Sequence, residues 1–302
     1  MKVIVFGANG QDGTILCQQL RADMHSVLGV GKNDPFNPLH KEAVTSLLSG
    51  EKPDRLYYLA ASHRSSEAVV TDLAKEREDS FRVHCQGWQN VVEGCLAKTP
   101  KTRLLYASSA HIFGNTSVYP QNETTPFHPD CVYGESKVAG MRASMEARRK
   151  YGLFVSHAIL FPHESIYRSN GFLSRKLLSA ALEAKKDSSY KITLGDLSAT
   201  SDWGYAPEYT RAMTSILELE EGGEYVLATG TEHTVAEFAE SVFRAMGLDW
   251  RQHILTREDI LTKPKRRFLG DASKLHSAAG HIIKMHLPEL GRQLVIDSGE
   301  LL

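Results

Sequence analysis

The sequence predicts an α/β protein whose core is a parallel β-sheet covered by helices on both faces. Short apolar segments typical of buried strands alternate along its 302 residues with segments whose apolar residues recur at the helical period. Parallel strands require crossover connections of this length, usually helical. A glycine-rich segment, GANGQDG, also separates the first strand from the first helix.

In the first half of the chain, each element follows from the spacing of apolar residues. Lys2–Phe6 is an apolar run that ends at Gly7, which is typical of a buried strand. Thr14–Arg21 places Ile15, Leu16 and Leu20 on one face, as a helix does. The same reasoning predicts strands at Ser26–Val30, Arg55–Ala61, Arg103–Ser108 and Phe154–Leu160, and helices at His40–Ser49, about Glu67–Leu96 and Tyr133–Tyr151.

The glycine loop has the spacing expected of a dinucleotide-binding turn. Gly7 permits the tight turn, Gly10 lets the backbone approach a pyrophosphate, and Gly13 lets helix and strand pack closely. The helix start offers free N–H groups and a partial positive charge to the phosphates. At the end of the second strand, Lys32 would favour NADP by neutralising a 2′-phosphate, whereas Asp34 would favour NAD by accepting a ribose hydroxyl.

These features together predict a Rossmann-type doubly wound sheet over residues 1–165, with parts of 195–230 returning to it. After about residue 165 the pattern becomes mixed α/β, and we expect residues 166–302 to form mainly a smaller substrate-binding region. The predicted elements there are helices at Gly171–Lys185, Pro207–Leu219 and Thr234–Met246 and strands at Tyr190–Leu194 and Tyr225–Ala228.

The amino-acid composition argues against several classes of binding partner. Lys and Arg total 35 against 36 Asp and Glu, a balance that argues against a nucleic-acid partner. No run of about 18 apolar residues predicts a membrane span. The four cysteines are scattered, and the 13 histidines show no ligand spacing on a helix, so we expect no disulfide framework and no metal site. We expect a cytoplasmic protein.

A Tyr-Lys pair supplies the predicted chemistry. Tyr133 and Lys137 lie four residues apart at the start of a helix and therefore share a face. An adjacent ammonium favours the phenolate, so Tyr133 can exchange a proton with a sugar hydroxyl while a hydride passes to or from nicotinamide. Ser109, at the end of a predicted strand, is placed to hydrogen-bond the same hydroxyl.

The sequence resembles the extended short-chain dehydrogenase/reductase family and, within it, the GDP-mannose 4,6-dehydratases. The similar segments cover almost the whole chain, and the HES and DWG motifs are more specific than the glycine loop. They are GANGQDG, ASSAHIFG, PQNETTPFHP, VYGESK, LFPHESIYRSNGFLSRKL, ITLGDLSATSDWGYAPEY and LATGTEHTVAEFAE.

This resemblance implies a reaction and its residues. A bound NADP (NAD being possible) oxidises C4 of a nucleotide-diphosphate sugar, a base removes the C5 proton, water leaves from C6, and the hydride returns to C6. Ser109, His111, Tyr133 and Lys137 match the catalytic positions. The implied cofactor contacts are Gly7, Asn9, Gly10, Gln11, Asp12, Gly13, Lys32, Ala60, Ala61, Tyr133, Lys137, His163 and Arg168, and the implied substrate contacts are Ser109, Glu164, Arg175 and Lys176. Homodimers or homotetramers are expected.

Several positions depart from the family pattern. The family's catalytic glutamate is His111 here, which is either the base or a hydrogen-bonded histidine under the loop. The asparagine before HES is Pro162, and the segment after the second strand is shorter. These departures keep open a 4-epimerase or 4-keto-reductase. The basic run KPKRR at 263–267 is either a diphosphate contact or a solvated charge run.

Overall fold

The computed structural model describes residues 1–65, 67, 71–261 and 266–299. Its strands are β1 (Lys2–Phe6), β2 (Ser26–Val30), β3 (Arg55–Tyr58), β4 (Arg103–Ala107), β5 (Val155–Leu160), β6 (His163–Glu164), β7 (Ile192–Leu194), β8 (Thr200–Ser201), β9 (Gly204–Tyr205), β10 (Glu224–Leu227), β11 (His233–Thr234) and β12 (Ile254–Thr256). Its α-helices are α1 (Gln11–Ala22), α2 (Lys41–Glu51), α3 (Leu73–Phe81), α4 (Trp88–Lys98), α5 (Val132–Tyr151), α6 (Leu173–Lys186), α7 (Ala206–Ile216), α8 (Val235–Ala245), α9 (Ser273–Ala279) and α10 (Glu289–Asp297).

The main sheet confirms the predicted fold class. It has six strands in the order β2-β1-β3-β4-β5-β10, and every neighbouring pair is parallel. After β2 is added on one side of β1, the chain crosses over and adds β3 on the other side. In such sheets ligands bind beyond the carboxyl ends of the strands, at this reversal. The smaller sheets pair β6 with β9, β7 with β12 and β8 with β11.

Alternating side chains of the buried strands fill two separate cores. Ile4 and Phe6 of β1 belong to the core packed under α2, α4 and α5. Val3 and Val5 belong to the core on the opposite face, under α1, α7 and α9. A third core lies among α6, α8 and α10. The two-residue period of a strand explains why one apolar run serves both faces of the sheet. The domain boundary near residue 165 stays a prediction.

The long helix predicted over Glu67–Leu96 is wrong as one continuous α-helix. Part of its first turn, at residues 68–70, lies outside the described residues, and α3 begins after Asp72, whose carboxylate accepts the Lys75 N–H. A π-helical turn, Arg82–Gly87, then separates α3 from α4. Apolar spacing does not distinguish such a turn from a regular α-helix.

Other predicted elements match closely, with differences at their ends. The bounds of β1 and β2 are confirmed to the residue. The predicted strand at Arg55–Ala61 ends at Tyr58, because Ala60 turns to pack against Gly7. In the described part of the chain, no helix is long and apolar enough to cross a membrane. All four cysteines are free thiols.

Candidate active site

Two of the three glycines of the loop, Gly7 and Gly13, are required by the close approach of β1, β3 and α1. Gly7 has φ +85°, and a Cβ there would lie 2.6 Å from the Ala60 nitrogen. A Cβ on Gly13 would lie 2.2 Å from the Gly7 carbonyl oxygen. Gly10 is the residue before α1 and donates its N–H to Gly7 at 3.0 Å. Any larger side chain at Gly7 or Gly13 would force the helix away from the sheet.

The start of α1 fits a bound anion. Gly10 has no side chain to cap the helix, so the N–H groups of the first turn are left for another acceptor. Asn9 is exposed beside Gly31, where a Cβ would meet its side-chain nitrogen at 2.4 Å. These N–H groups and the helix dipole suit the pyrophosphate of a dinucleotide.

The end of β2 carries both of the predicted cofactor-discriminating residues. Lys32 is exposed. The Asp34 carboxylate accepts the backbone N–H of Phe36 at 3.1 Å and so stabilises its own turn. Between β2 and α2 the chain forms no further strand, which agrees with the short segment noticed in the sequence.

Asp12 and His163 form a buried ion pair beneath the glycine loop. His163 Nδ1 lies 2.7 Å from the Phe161 carbonyl, and Nε2 lies 2.9 and 3.0 Å from the two Asp12 oxygens. Because both ring nitrogens face acceptors, both carry hydrogen and the ring is an imidazolium. Burial opposes this charge, but Asp12 outweighs it and raises the pKa of His163. Gln11 joins the pair by donating to His163 and Asp12.

Tyr133, Lys137 and Ser109 meet at the carboxyl end of β4. Lys137 is 1% exposed, donates to the Ala107 carbonyl at 2.7 Å, and lies 5.6 Å from the centre of the Tyr133 ring. Ser109 precedes a short 3₁₀ turn, and its hydroxyl interacts with Tyr133. The structure therefore brings together the three residues that the sequence paired from separate segments.

Burial shifts the pKa values of Tyr133 and Lys137. It raises the pKa of Tyr133 to about 12, an effect that Arg168 and Ser109 reduce. It lowers the pKa of Lys137 to about 7. Both shifts have the sign expected when a charged form loses water. Tyr133 is therefore a phenol at neutral pH, and a positive charge nearby is needed to favour its phenolate.

Two further histidines surround Tyr133. The ring of His111 lies edge-on to Tyr133 at 5.5 Å and to Phe268 at 5.0 Å. The ring of His63 lies 4.3 Å from Tyr133 and 5.6 Å from His111. The sequence reasoning missed His63. Its signal was its position just after β3, at the edge of the sheet where ligands bind.

Two cavities open beside Tyr133, of about 270 and 280 Å³. His63, Arg64, His111 and Arg266 line both of them. The first cavity also reaches Arg168, Pro162 and Glu164, and the second reaches Tyr133, Ser62 and Cys131. Three arginines along these neighbouring cavities provide the bidentate donors that phosphate groups prefer.

The remaining predicted residues lie at varied distances from these cavities. Arg168 stacks over Phe172, 4.0 Å from the ring centre, with Nε 3.6 Å from Glu164. Ala60 is half-buried and Ala61 exposed at the end of β3. Lys176 pairs with Glu67, and neither it nor Arg175 lines either cavity.

The two described arginines of the basic run form ion pairs with different carboxylates. Residues 263–265 of it lie outside the described residues. Arg266 donates to both oxygens of Asp130, at 2.9 and 3.1 Å, and lines both cavities. Arg267 pairs with Glu232 at 2.8 Å. Among the described residues of this run, only Arg266 lines the two cavities, and it does so while paired with Asp130.

Comparison with known proteins decides the family. The family model described as GDP-mannose 4,6 dehydratase matches residues 37–294. The chain belongs to this family. Within the wider epimerase and dehydratase group, it is an enzyme of the nucleotide-sugar branch.

Family members from distant organisms are similar over most of their length. GDP-mannose 4,6 dehydratase 2 of Arabidopsis thaliana is 31% identical over 326 residues, covering 99% of this chain and 87% of the relative. The human GDP-mannose 4,6 dehydratase is 30% identical over 270 residues, covering 81% of this chain and 72% of the relative.

Solved structures share the fold at lower identity. RMD from Pseudomonas aeruginosa, solved with NADPH, superposes with a TM-score of 0.84 at 20% identity, over 98% of both chains. UDP-glucose 4-epimerase from Thermotoga maritima, solved with UDP-glucose, gives 0.87 at 18% identity, over 99% of both chains.

Proposed function

We propose that this enzyme is a nucleotide-diphosphate-sugar 4,6-dehydratase that uses NADP and acts on GDP-mannose or a similar sugar nucleotide. The observation that carries the proposal is that Ser109, Lys137 and His111 meet at Tyr133, which with His111 lines a cavity that also contains arginines. The relatives at about one-third identity bear the name of this reaction.

The glycine loop and the start of α1 would hold the cofactor. Gly7 and Gly13 allow the tight turn, because a Cβ on either would clash with backbone, and exposed Gly10 lets a pyrophosphate approach the start of α1. NADP, when bound, would take a hydride from the sugar and return it. We favour NADP over NAD because exposed Lys32 suits a 2′-phosphate, whereas the Asp34 carboxylate is engaged in its own turn. RMD, of the same fold, was solved with NADPH.

Tyr133 would exchange the proton of the C4 hydroxyl. Burial disfavours its phenolate, and the protonated form of Lys137, 5.6 Å from the ring centre, would lower the free energy of that form. Because burial also lowers the pKa of Lys137 to about 7, this stabilisation should decline as the pH rises above 7. Ser109 would hold the same hydroxyl by a hydrogen bond. The Asp12–His163 pair would fix the loop that carries the cofactor.

His111 would move the proton of the elimination. Once C4 is a ketone, the C5 proton is acidic, and the neutral imidazole takes it. The resulting imidazolium gives that proton to the C6 hydroxyl, which leaves as water while a C5–C6 double bond forms. One histidine can therefore serve as base and then as acid, with no net proton gained or lost.

Arginines lining the cavities would hold the diphosphate. Arg64, Arg168 and Arg266 line the first cavity, and Glu164, which also lines it, accepts a hydrogen bond from Ser174 and lies beside Arg168. Arg175 and Lys176 do not line it, so we assign the diphosphate to the first three. We also retain the prediction of a homodimer or homotetramer, which the mass of the protein in solution would test.

The decisive experiment is incubation of the purified protein and NADP with GDP-mannose. A product lighter by one water supports the dehydratase. The control is Tyr133→Phe, which should form no product. If the parent enzyme forms no lighter product from GDP-mannose or from other purine-diphosphate hexoses, the proposal is wrong.

A nucleotide-sugar 4-epimerase or 4-keto-reductase is the second candidate. His111 in place of a carboxylate and Pro162 lining the cavity favour it. An epimerase would leave the mass unchanged, and a reductase would turn over only a keto sugar with added NADPH.

A further inference from the structure

Two buried tyrosines stabilise the π-helical turn Arg82–Gly87 by donating hydrogen bonds to its backbone carbonyls. A π turn leaves backbone carbonyls without their usual helical donors, and such turns are frequent at functional sites. Here Tyr58 donates its hydroxyl to the Val83 carbonyl at 2.6 Å, and Tyr106 donates to the His84 carbonyl at 2.8 Å. Helix α5 also approaches closely, since a Cβ on Gly140 would lie 2.4 Å from the His84 oxygen.

The side chain of His84 projects from this turn toward Tyr133 and bridges two segments. Its Nε2 lies 2.9 Å from the backbone nitrogen of Ser62, and its Nδ1 lies 2.8 Å from the Ser136 hydroxyl. Ser136 in turn donates to the Tyr133 carbonyl at 2.9 Å. The imidazole ring itself meets the Tyr133 ring edge-on at 5.1 Å and is 0% exposed.

The hydrogen bonds fix a single form of this ring. The Ser62 N–H can only donate, so Nε2 is an acceptor without hydrogen. Nδ1 therefore carries the proton and donates to Ser136, whose own hydroxyl proton goes to the Tyr133 carbonyl. Burial and the neighbouring Lys137 hold the pKa of His84 well below its usual value, in agreement with this neutral form.

We propose that His84 is a positioning residue, which holds the first turn of α5 with Tyr133 and the Ser62–His63 segment in the arrangement that proton transfer requires. This inference rests on the proposed function, because it concerns Tyr133 in the same reaction. Ser62 and His63 line the cavity beside Tyr133, so a shift of either segment moves an acid–base group relative to the bound sugar.

The test compares His84→Phe, His84→Gln and Ser136→Ala in the NADP-bound enzyme. Phenylalanine keeps a buried ring but removes both hydrogen bonds, and we expect kcat to fall about 100-fold, the cost of a misplacement near 1 Å, with little change in KM. Glutamine places an amide oxygen near the Nε2 position and should restore part of kcat by accepting from Ser62. Ser136→Ala removes the hydrogen bond to the Tyr133 carbonyl, and its kcat should lie between those of His84→Phe and His84→Gln.

His157→Phe is the matched control. Like His84, His157 is 0% exposed, hydrogen-bonded and absent from the lining of both cavities, but its ring contacts Tyr106 and not Tyr133. The His157→Phe substitution should lower the midpoint of unfolding while leaving kcat within about twofold of the parent value. If His84→Phe and Ser136→Ala behave like this control, with stability lowered and kcat unchanged, His84 is only structural and the inference fails.

A second readout needs no sugar substrate. Tyrosine ionisation is followed by the ultraviolet absorbance of the phenolate. Subtracting the titration curve of Tyr133→Phe from that of the parent leaves the titration of Tyr133 alone. The same subtraction is made with Ser136→Ala and with His84→Gln, each with and without Tyr133→Phe. A displaced Tyr133 should titrate at a lower pH, because it becomes less buried. An unchanged midpoint in both backgrounds overturns the positioning role. If the parent fails on every sugar nucleotide, the proposed reaction fails while this titration still decides the role of His84.

Discussion

Glu224 on β10 should couple the stability of the fold to pH. Its carboxylate accepts hydrogen bonds from Arg148 of α5 at 2.6 Å and from His157 of β5 at 2.9 Å, and its side chain is 18% exposed. Burial opposes ionisation, but His157 and Arg148 outweigh it and lower the pKa of Glu224 from 4.5 to about 2.

The size of this effect follows from the change in pKa. A group with pKa about 2 when folded and about 4.5 when unfolded adds about 3 kcal/mol to the free energy of unfolding at neutral pH. Because folding lowers the pKa, this stabilisation is complete above about pH 5 and is lost as the pH falls toward 2. Glu224→Gln should therefore cost about 3 kcal/mol at pH 7 and little near pH 2.

Urea unfolding at pH 7, 5 and 3 measures this dependence. We expect the difference between parent and Glu224→Gln to shrink steadily as the pH is lowered. The control is Glu221→Gln, an exposed glutamate three positions earlier in the chain, which should show no such difference. A difference that stays constant from pH 7 to pH 3, or one below about 1 kcal/mol at pH 7, would refute the reasoning.

The same network resembles a hydrolase triad and illustrates why burial must be weighed. The Ser144 hydroxyl lies 2.7 Å from His157 Nε2, and His157 Nδ1 lies 2.9 Å from Glu224. A nucleophile needs access to substrate, yet Ser144 and His157 are both 0% exposed. Neither lines a cavity beside Tyr133. We therefore interpret the network as a connection between α5, β5 and β10.

Three further predictions concern the site. His111→Ala should allow oxidation at C4, seen as reduced cofactor absorbance, but no loss of water by mass spectrometry; undiminished dehydration would show that another group is the base. Gly13→Ala, whose Cβ would lie 2.2 Å from Gly7, should abolish NADP binding measured by fluorescence, whereas Gly50→Ala, with open space around it, should bind normally and be slightly more stable. Lys32→Ala should weaken NADP binding about tenfold, which corresponds to the loss of about 1.4 kcal/mol from a charge pair, and should leave the affinity for NAD unchanged. Calorimetry measures both affinities, and an equal loss for both cofactors would exclude a role at the 2′-phosphate.

The parts of the site that the sequence predicted are those whose geometry is local. Gly7, Gly10 and Gly13 belong to one turn, and Tyr133 and Lys137 share one helical face because they are four residues apart. Ser109 could be added because parallel strands end at the same edge of the sheet. The family resemblance placed His111 at the same point, and the structure brings it within 5.5 Å of Tyr133.

The parts that the sequence did not predict depend on how separate segments pack. His84 contacts Ser62 and Ser136, which are 22 and 52 residues away in the chain. A π turn shifts the register of the helix, and apolar spacing cannot locate it. Arg266 likewise lines the cavities while paired with Asp130, which is 136 residues away in the chain. Long-range hydrogen bonds, not local patterns, decide these positions.

The histidines of the site differ in how far hydrogen bonds fix their protonation and in whether they line a cavity. His163 is an imidazolium because a carbonyl and a carboxylate face its two nitrogens, and His84 is neutral because a backbone N–H faces one of them. Their hydrogen bonds therefore fix their protonation, and neither can give up or accept a proton without breaking a buried contact. His63 and His111 instead line the cavities that a substrate would enter. In the proposed reaction Tyr133 takes the C4 hydroxyl proton and His111 the C5 proton; His63 lies beside both, and His111→Ala tests whether His111 is the base.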